Sequence, residues 1–167
     1  GQMSIGGCAL TDVADEFGTP VFVYDEEHLR ARCREAVAAF GCERVVYATK
    51  AFLCTAMARL AHEEGLLLDV ATGGELFVAL NAGVPAGHCV MHGNNKSEDE
   101  LRAAIETGVR HIVVDNFDEL DRLDALHAQG LPAPRVQLRV TPGVYVHTHE
   151  FVSTGQDDSK FGFNLGN

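Results

Sequence analysis

The chain has 167 residues, 46% hydrophobic and 22% charged, a mixture expected of an ordinary globular domain and not of a disordered segment. A formal net charge of −11 argues against nucleic acid or an anionic membrane as partner and points to a small organic molecule. No apolar run reaches the ~20 residues that cross a bilayer, and the opening "GQMSIGG" lacks a signal-peptide pattern.

In chain order, the first predicted element is a helix that Asp25 caps, with Leu29, Cys33, Ala36, Val37 and Phe40 on one face and Gly41 as its stop. After Gly41 short β-rich runs begin at Val45, Leu67, Cys89, His111 and Val136, at intervals of 22, 22, 22 and 25 residues. Each interval holds one strand and one helix. Thr72 with Glu75, Ser97 with Glu100 and Asn116 with Glu119 are capping pairs at helix starts, and Gly108 and Gly130 follow the last two helices as stops. Five cysteines (Cys8, Cys33, Cys42, Cys54 and Cys89) include no C-x-x-C pair and are expected to be reduced, packed as small hydrophobes in a cytoplasmic protein.

Consecutive βα units imply parallel strands. The first βα turn, "ATKAFLCT", has no G-x-G-x-x-G, so a dinucleotide-binding open sheet gives way to a (β/α)8 barrel. A complete barrel takes ~250 residues, and five of its eight βα units are legible here. The expected class is therefore α/β, a partial (β/α)8 barrel with its C-terminal side missing. Open parallel edges in such a segment are expected to aggregate or pair.

Barrel chemistry collects at the C-terminal strand ends. Lys50 ends "VVYATK", Asp69 sits late in "LLLDVA", His92 ends "CVMH", Asp115 ends "IVVD" and Arg139 lies late in "VQLRVT". Strand alternation places Val46, Ala48 and Lys50 on one side. An inward Lys50 above the small Ala48 leaves room for a flat ligand, and burial favours the neutral amine that forms a Schiff base with a carbonyl. On spacing alone, a lysine that leaves the strand for solvent fits equally well. Gly73 and Gly74 suit a phosphate cradle or simply a tight turn. His147 and His149 in "VHTHE" read as solvated, and no metal site is expected.

Taken together, "GTPVFVYD", "YATKA", "LDVATGGEL", "HGNNKS", "HIVVDNFDEL", "TPGV" and "THEFVSTGQDDSKFGF" resemble the pyridoxal-phosphate decarboxylases with an alanine-racemase-like barrel over nearly the whole chain. Phe52 departs from the asparagine common after the family's "KA". The resemblance implies pyridoxal 5'-phosphate as cofactor, held covalently by Lys50, with Ala48, Asp69, His92 and Arg139 around it and Lys160 as a further candidate. It implies decarboxylation of meso-diaminopimelate to lysine by a full-length homodimer. Another basic amino acid, a racemase, or a carrier without turnover remain alternatives. Residues 1–24 are expected to associate with a C-terminal β domain, and residues 25–167 to form the incomplete cofactor-binding barrel. The family's ring-stacking histidine, glycine-rich phosphate loop and further substrate-side groups would lie beyond Asn167, so the segment alone is expected to be inactive.

Overall fold

A computed structural model of the chain describes residues 2–142 and 161–164. Ser4–Ile5 (β1) and Cys8–Ala9 (β2) pair antiparallel across Gly6 and Gly7, and Leu10–Phe17 (α1) follows. Glu26–Phe40 (α2) starts where predicted: the Asp25 carboxylate accepts the His28 N–H at 3.0 Å, and Gly41 at φ 96° ends the helix. Cys33, in its middle, is buried, but Phe40, its last residue, is 69% exposed. The expected apolar face is thus shorter than its sequence pattern.

The repeat then runs Val46–Ala48 (β3), Thr55–Glu63 (α3), Leu67–Val70 (β4), Gly73–Asn81 (α4), Cys89–Met91 (β5), Glu98–Thr107 (α5), His111–Val114 (β6), Phe117–Ala128 (α6) and Val136–Leu138 (β7). Four of the five expected strand starts coincide with the observed ones, and the first comes one residue late. All four neighbouring pairs are parallel, in the order β3-β4-β5-β6-β7. Among the described residues the order of this sheet never reverses, so it shows no topological switch point of the kind that marks doubly wound sheets. Beyond β7 come Val140–Thr141 (β8) and Phe163–Asn164 (β9), a short parallel pair.

Register separates the two faces of the sheet. Leu68, Val70, Cys89, Met91, Ile112 and Val114 share one face and pack against Met57, Leu60, Leu76, Leu101, Ile105, Leu123 and Leu126 of the helices. This is the hydrophobic core, and burial pushes the Cys89 thiol up to about 11. The opposite face carries Val46, Ala48, Asp69, Val90, His111, Val113 and Gln137, the alternate positions of the same strands. On the edge strands Val46, Val136 and Leu138 are exposed. The cysteine expectation holds only in part: all five are unpaired thiols, but Cys8, Cys42 and Cys54 are exposed. Cys54 instead caps α3, its Sγ accepting the Met57 N–H at 3.5 Å.

All three predicted N-caps form, Thr72 and Ser97 as reciprocal boxes and Asn116 without one, and one of the boxes also ties two helices together. Thr72 and Ser97 close reciprocal capping boxes with Glu75 and Glu100. Glu100 reaches further: its Oε2 accepts from Ser97 N at 2.9 Å while its Oε1 accepts from Gly73 N at 2.8 Å, joining the starts of α4 and α5. These hydrogen bonds from Gly73 and then Ser97 hold the Glu100 carboxyl below the usual glutamate range. A carboxyl lowered in the folded state adds stability above its unfolded pKa, and loses it as pH falls through the lower folded value. Glu100→Gln, which turns one acceptor into a donor, should cost about 1–2 kcal/mol at neutral pH. That difference should shrink below about pH 4, as read by urea unfolding across pH. A pH-independent difference would refute the linkage.

Candidate functional site

Five strand ends meet at one rim. Asp69 lies within β4, beside Ala48 of β3 in register and, on its other side, Val90 of β5. The backbone then turns so that His92, the residue after β5, donates its N–H to Val70 O at 2.8 Å. Its ring Nδ1 lies 3.2 Å from Asp69 Oδ2, with both side chains partly exposed. The second carboxylate oxygen, Asp69 Oδ1, is buried and has no hydrogen-bond partner among the described residues. Asp69, His92 and Arg139 line one cavity of about 350 Å³ on the open face of the sheet, together with His111 and Gln137. Burial, then Arg110 and Arg135, lowers the His111 imidazole below its usual value.

The His92 turn depends on a close backbone approach. A Cβ added at Gly93 would sit 2.6 Å from Ala71 O, a contact that real side chains do not make. Gly93→Ala must therefore push the loop after β5 away from the end of β4 and separate His92 from Asp69. The expected cost is about 1–3 kcal/mol, the range for forced overpacking, measured by chemical denaturation. Unchanged stability would show that the loop adapts without strain.

Arg139, between β7 and β8, has its Nη1 3.3 Å from Asp115 Oδ1 and its guanidinium 4.4 Å above the Phe161 ring. Asp115 is 1% exposed and accepts the Gly162 N–H at 3.1 Å with its other oxygen. It is therefore a buried anchor for Arg139.

Lys50 differs from its expected place. The strand ends at Ala48, and Thr49–Ala51 form one turn of 3₁₀ helix, so the alternation that put Lys50 on the face of Val46 and Ala48 stops before reaching it. Lys50 is exposed, and neither it nor Ala48 is among the residues lining the cavity. The turn is nevertheless firmly held: Thr49, 1% exposed, donates its hydroxyl to Asp69 O at 2.8 Å, and Tyr47 donates its hydroxyl to Phe52 O at 2.6 Å. Phe52 stacks on Tyr24, with centroids 4.4 Å apart and planes within 10°, so it ties the "VFVY" stretch to the Lys50 turn.

The phosphate-cradle expectation for Gly73 and Gly74 is overturned. The amides at the start of α4 are already occupied: Glu75 Oε2 accepts from Ala71 N at 2.6 Å and Thr72 N at 3.1 Å, and Glu100 Oε1 takes Gly73 N. Two carboxylates there repel a phosphate as well as displacing it. His147, His149 and Lys160 lie outside the described residues.

A group that reading the sequence missed is Lys96 of "HGNNKS". It is 2% exposed, with Nζ 2.6 Å from Glu119 Oε1, 2.8 Å from Val113 O and 2.5 Å from Gly93 O. A lysine among asparagines reads as solvated loop. The available signal was Glu119, whose carboxylate goes to Asp115 N at 2.9 Å instead of completing a capping box with Asn116.

The residues present suit pyridoxal phosphate at its ring and aldehyde end. There is a rim lysine to carry an aldehyde, an unpartnered buried carboxylate oxygen, an imidazole and a guanidinium beside a cavity of fitting size. The phosphate end is not provided for at the α4 turn.

Residues 26–167 match the family described as pyridoxal-dependent decarboxylase, pyridoxal binding domain. Among curated proteins, diaminopimelate decarboxylase of Mycobacterium tuberculosis is 53% identical over 166 residues, covering 99% of this chain and 37% of that protein. The Bacillus subtilis enzyme of the same name is 48% identical over 171 residues, covering 100% of this chain and 39% of its own length. Diaminopimelate decarboxylase from M. jannaschii, solved in co-complex with L-lysine, superposes with a TM-score of 0.82 at 32% identity, covering 99% of this chain and 40% of that one. A lysine/ornithine decarboxylase from Vibrio vulnificus, complexed with putrescine, aligns at 0.70 with 26% identity over 78% of this chain and 35% of that one. The chain thus spans about two fifths of the length of these relatives, which fits a partial barrel. On this match the chain belongs to the pyridoxal-dependent decarboxylases, and pyridoxal phosphate is the cofactor of its domain.

Proposed function

We propose that the full-length protein decarboxylates meso-diaminopimelate to L-lysine, with pyridoxal 5'-phosphate attached to Lys50. The observation that carries the reading is the rim itself: Asp69 with His92, and Arg139 with Asp115, flank one cavity beside the Lys50 turn. The identity to diaminopimelate decarboxylases over 99% of the chain supports this substrate above ornithine or lysine.

When bound, pyridoxal phosphate supplies the electron sink for the pair of electrons left behind by departing carbon dioxide. The chain's own residues do the rest. Lys50 Nζ is the point of attachment and, once released, an exposed amine on a firmly held turn, able to hold a proton and return it to carbon. Asp69 Oδ1, buried and unpartnered among the described residues, would be available as an acceptor for the bound cofactor, and His92 Nδ1 lies against the other oxygen of that carboxylate. Arg139 is aimed by Asp115 and by the Phe161 ring, so its charge is already oriented before anything binds.

Two surfaces support the wider organisation. Near the N-terminus a groove of about 990 Å³ is lined by Val13, Phe17, Val21, Phe22 and Tyr24 among others, with Phe22 90% exposed. Such an apolar face suits a C-terminal β domain. The exposed Val46, Val136 and Leu138 at the sheet edges suit the remaining strands of a barrel formed by residues 25–167 with the rest of the protein. We assign the full-length protein as a cytoplasmic homodimer on the same family grounds.

The test is to load the full-length protein with pyridoxal phosphate and follow carbon dioxide and lysine from meso-diaminopimelate, L-lysine and L-ornithine. Turnover of the first alone is expected. Turnover of ornithine or lysine in its place would move the chain to another substrate, and cofactor binding with no turnover of any would make it a carrier.

A further inference from the structure

Lys96 and Glu119 do not themselves line the cavity, yet they connect its two sides. On one side Lys96 Nζ holds Gly93 O at 2.5 Å, and Gly93 directly follows His92, the partner of Asp69. On the other, Glu119 pairs with Lys96 as an ion pair, Oε1 lying 2.6 Å from Nζ, and accepts the Asp115 N–H with Oε2, and Asp115 aims Arg139. Val113 O, at the end of β6, accepts from the same ammonium at 2.8 Å, and Arg122 Nη1 holds Lys96 O at 2.9 Å. The ammonium is thus held by two carbonyls, from the loop after β5 and from β6, and by the carboxylate charge of α6.

Stability alone does not account for a charge pair at this depth, with side chains 0% and 4% exposed. Desolvation of two ions roughly cancels their attraction, and apolar residues of similar volume serve a core as well or better. Directed bonds to three separate segments do what apolar packing does not: they fix the register of one loop against another.

We infer that Lys96 and Glu119 are positioning residues of the cofactor site: their buried ion pair locks the loop carrying His92 to the loop carrying Asp115, and so sets the spacing between His92 and Arg139. The inference rests on the cofactor reading above.

The test compares the full-length protein with its Lys96→Met/Glu119→Gln variant. Methionine refills the lysine volume, and glutamine keeps an acceptor for Asp115 N without leaving a lone buried charge. Each protein is titrated with pyridoxal phosphate, following absorbance and the circular dichroism induced in the bound cofactor, and each is melted without cofactor. The variant should melt close to the wild type, bind the cofactor roughly tenfold or more weakly, and show an altered dichroic band. A role in packing alone would leave affinity and band unchanged, and that result overturns the inference. Should the double variant not fold, Glu119→Gln, which leaves Lys96 on both carbonyls, is expected to weaken binding severalfold, and unchanged affinity again overturns it. No dichroic band in the wild type would instead overturn the cofactor reading, and this inference with it.

Discussion

Lys50→Ala is expected to lower decarboxylation by the full-length protein at least about a thousandfold, because it removes both the attachment point and a proton-transferring amine. The same change should alter folding stability by no more than about 0.5 kcal/mol, as for other exposed positions outside caps and core. Lys50 is exposed and lies in a 3₁₀ turn, and that turn is held by Thr49 and Tyr47 rather than by the lysine. Carbon dioxide release and a thermal melt read the two effects separately. A variant with near wild-type turnover would remove Lys50 from the chemistry, and one that fails to fold would show that the turn needs it.

The largest stability effect should come from Lys96→Met alone. This change strands the Glu119 carboxylate, 4% exposed, with no counter-charge, and frees Gly93 O and Val113 O. Breaking one partner of a buried pair costs about 3–5 kcal/mol, measured by urea unfolding. Removing both charges should restore most of it, whereas cofactor affinity should stay low in both variants because both lack the pair. A loss below about 1 kcal/mol would mean that water reaches Glu119, since exposed pairs contribute about that much or less.

The strand starts and helix caps were legible because they are local. Val136 and Leu67 open β-rich runs, and Ser97 with Glu100 declares a helix start within four residues. Asp69 and Arg139 were legible as polar residues late in such runs, and the structure places both on one cavity. What the sequence hid depends on distant residues. Nothing near Gly73 says that Glu100, 27 residues on, will fill its amide, and so the phosphate cradle looked open. Alternation correctly paired Val46 with Ala48 but has no means of showing that the strand stops before Lys50. Lys96 lies in the polar stretch "GNNKS", and its burial is decided by β6 and α6, which are still to come in the chain. Phe52, a departure from the family motif, makes sense only beside Tyr24, 28 positions earlier.

The measurement that bears most directly on Lys50 is borohydride reduction of the full-length protein loaded with pyridoxal phosphate, followed by peptide mapping. Reduction makes the lysine–cofactor bond permanent, so the labelled peptide identifies the residue. The account predicts a single label on Lys50, in the peptide containing "YATKAF". A label on Lys96 or Lys160 with Lys50 unmodified would contradict it.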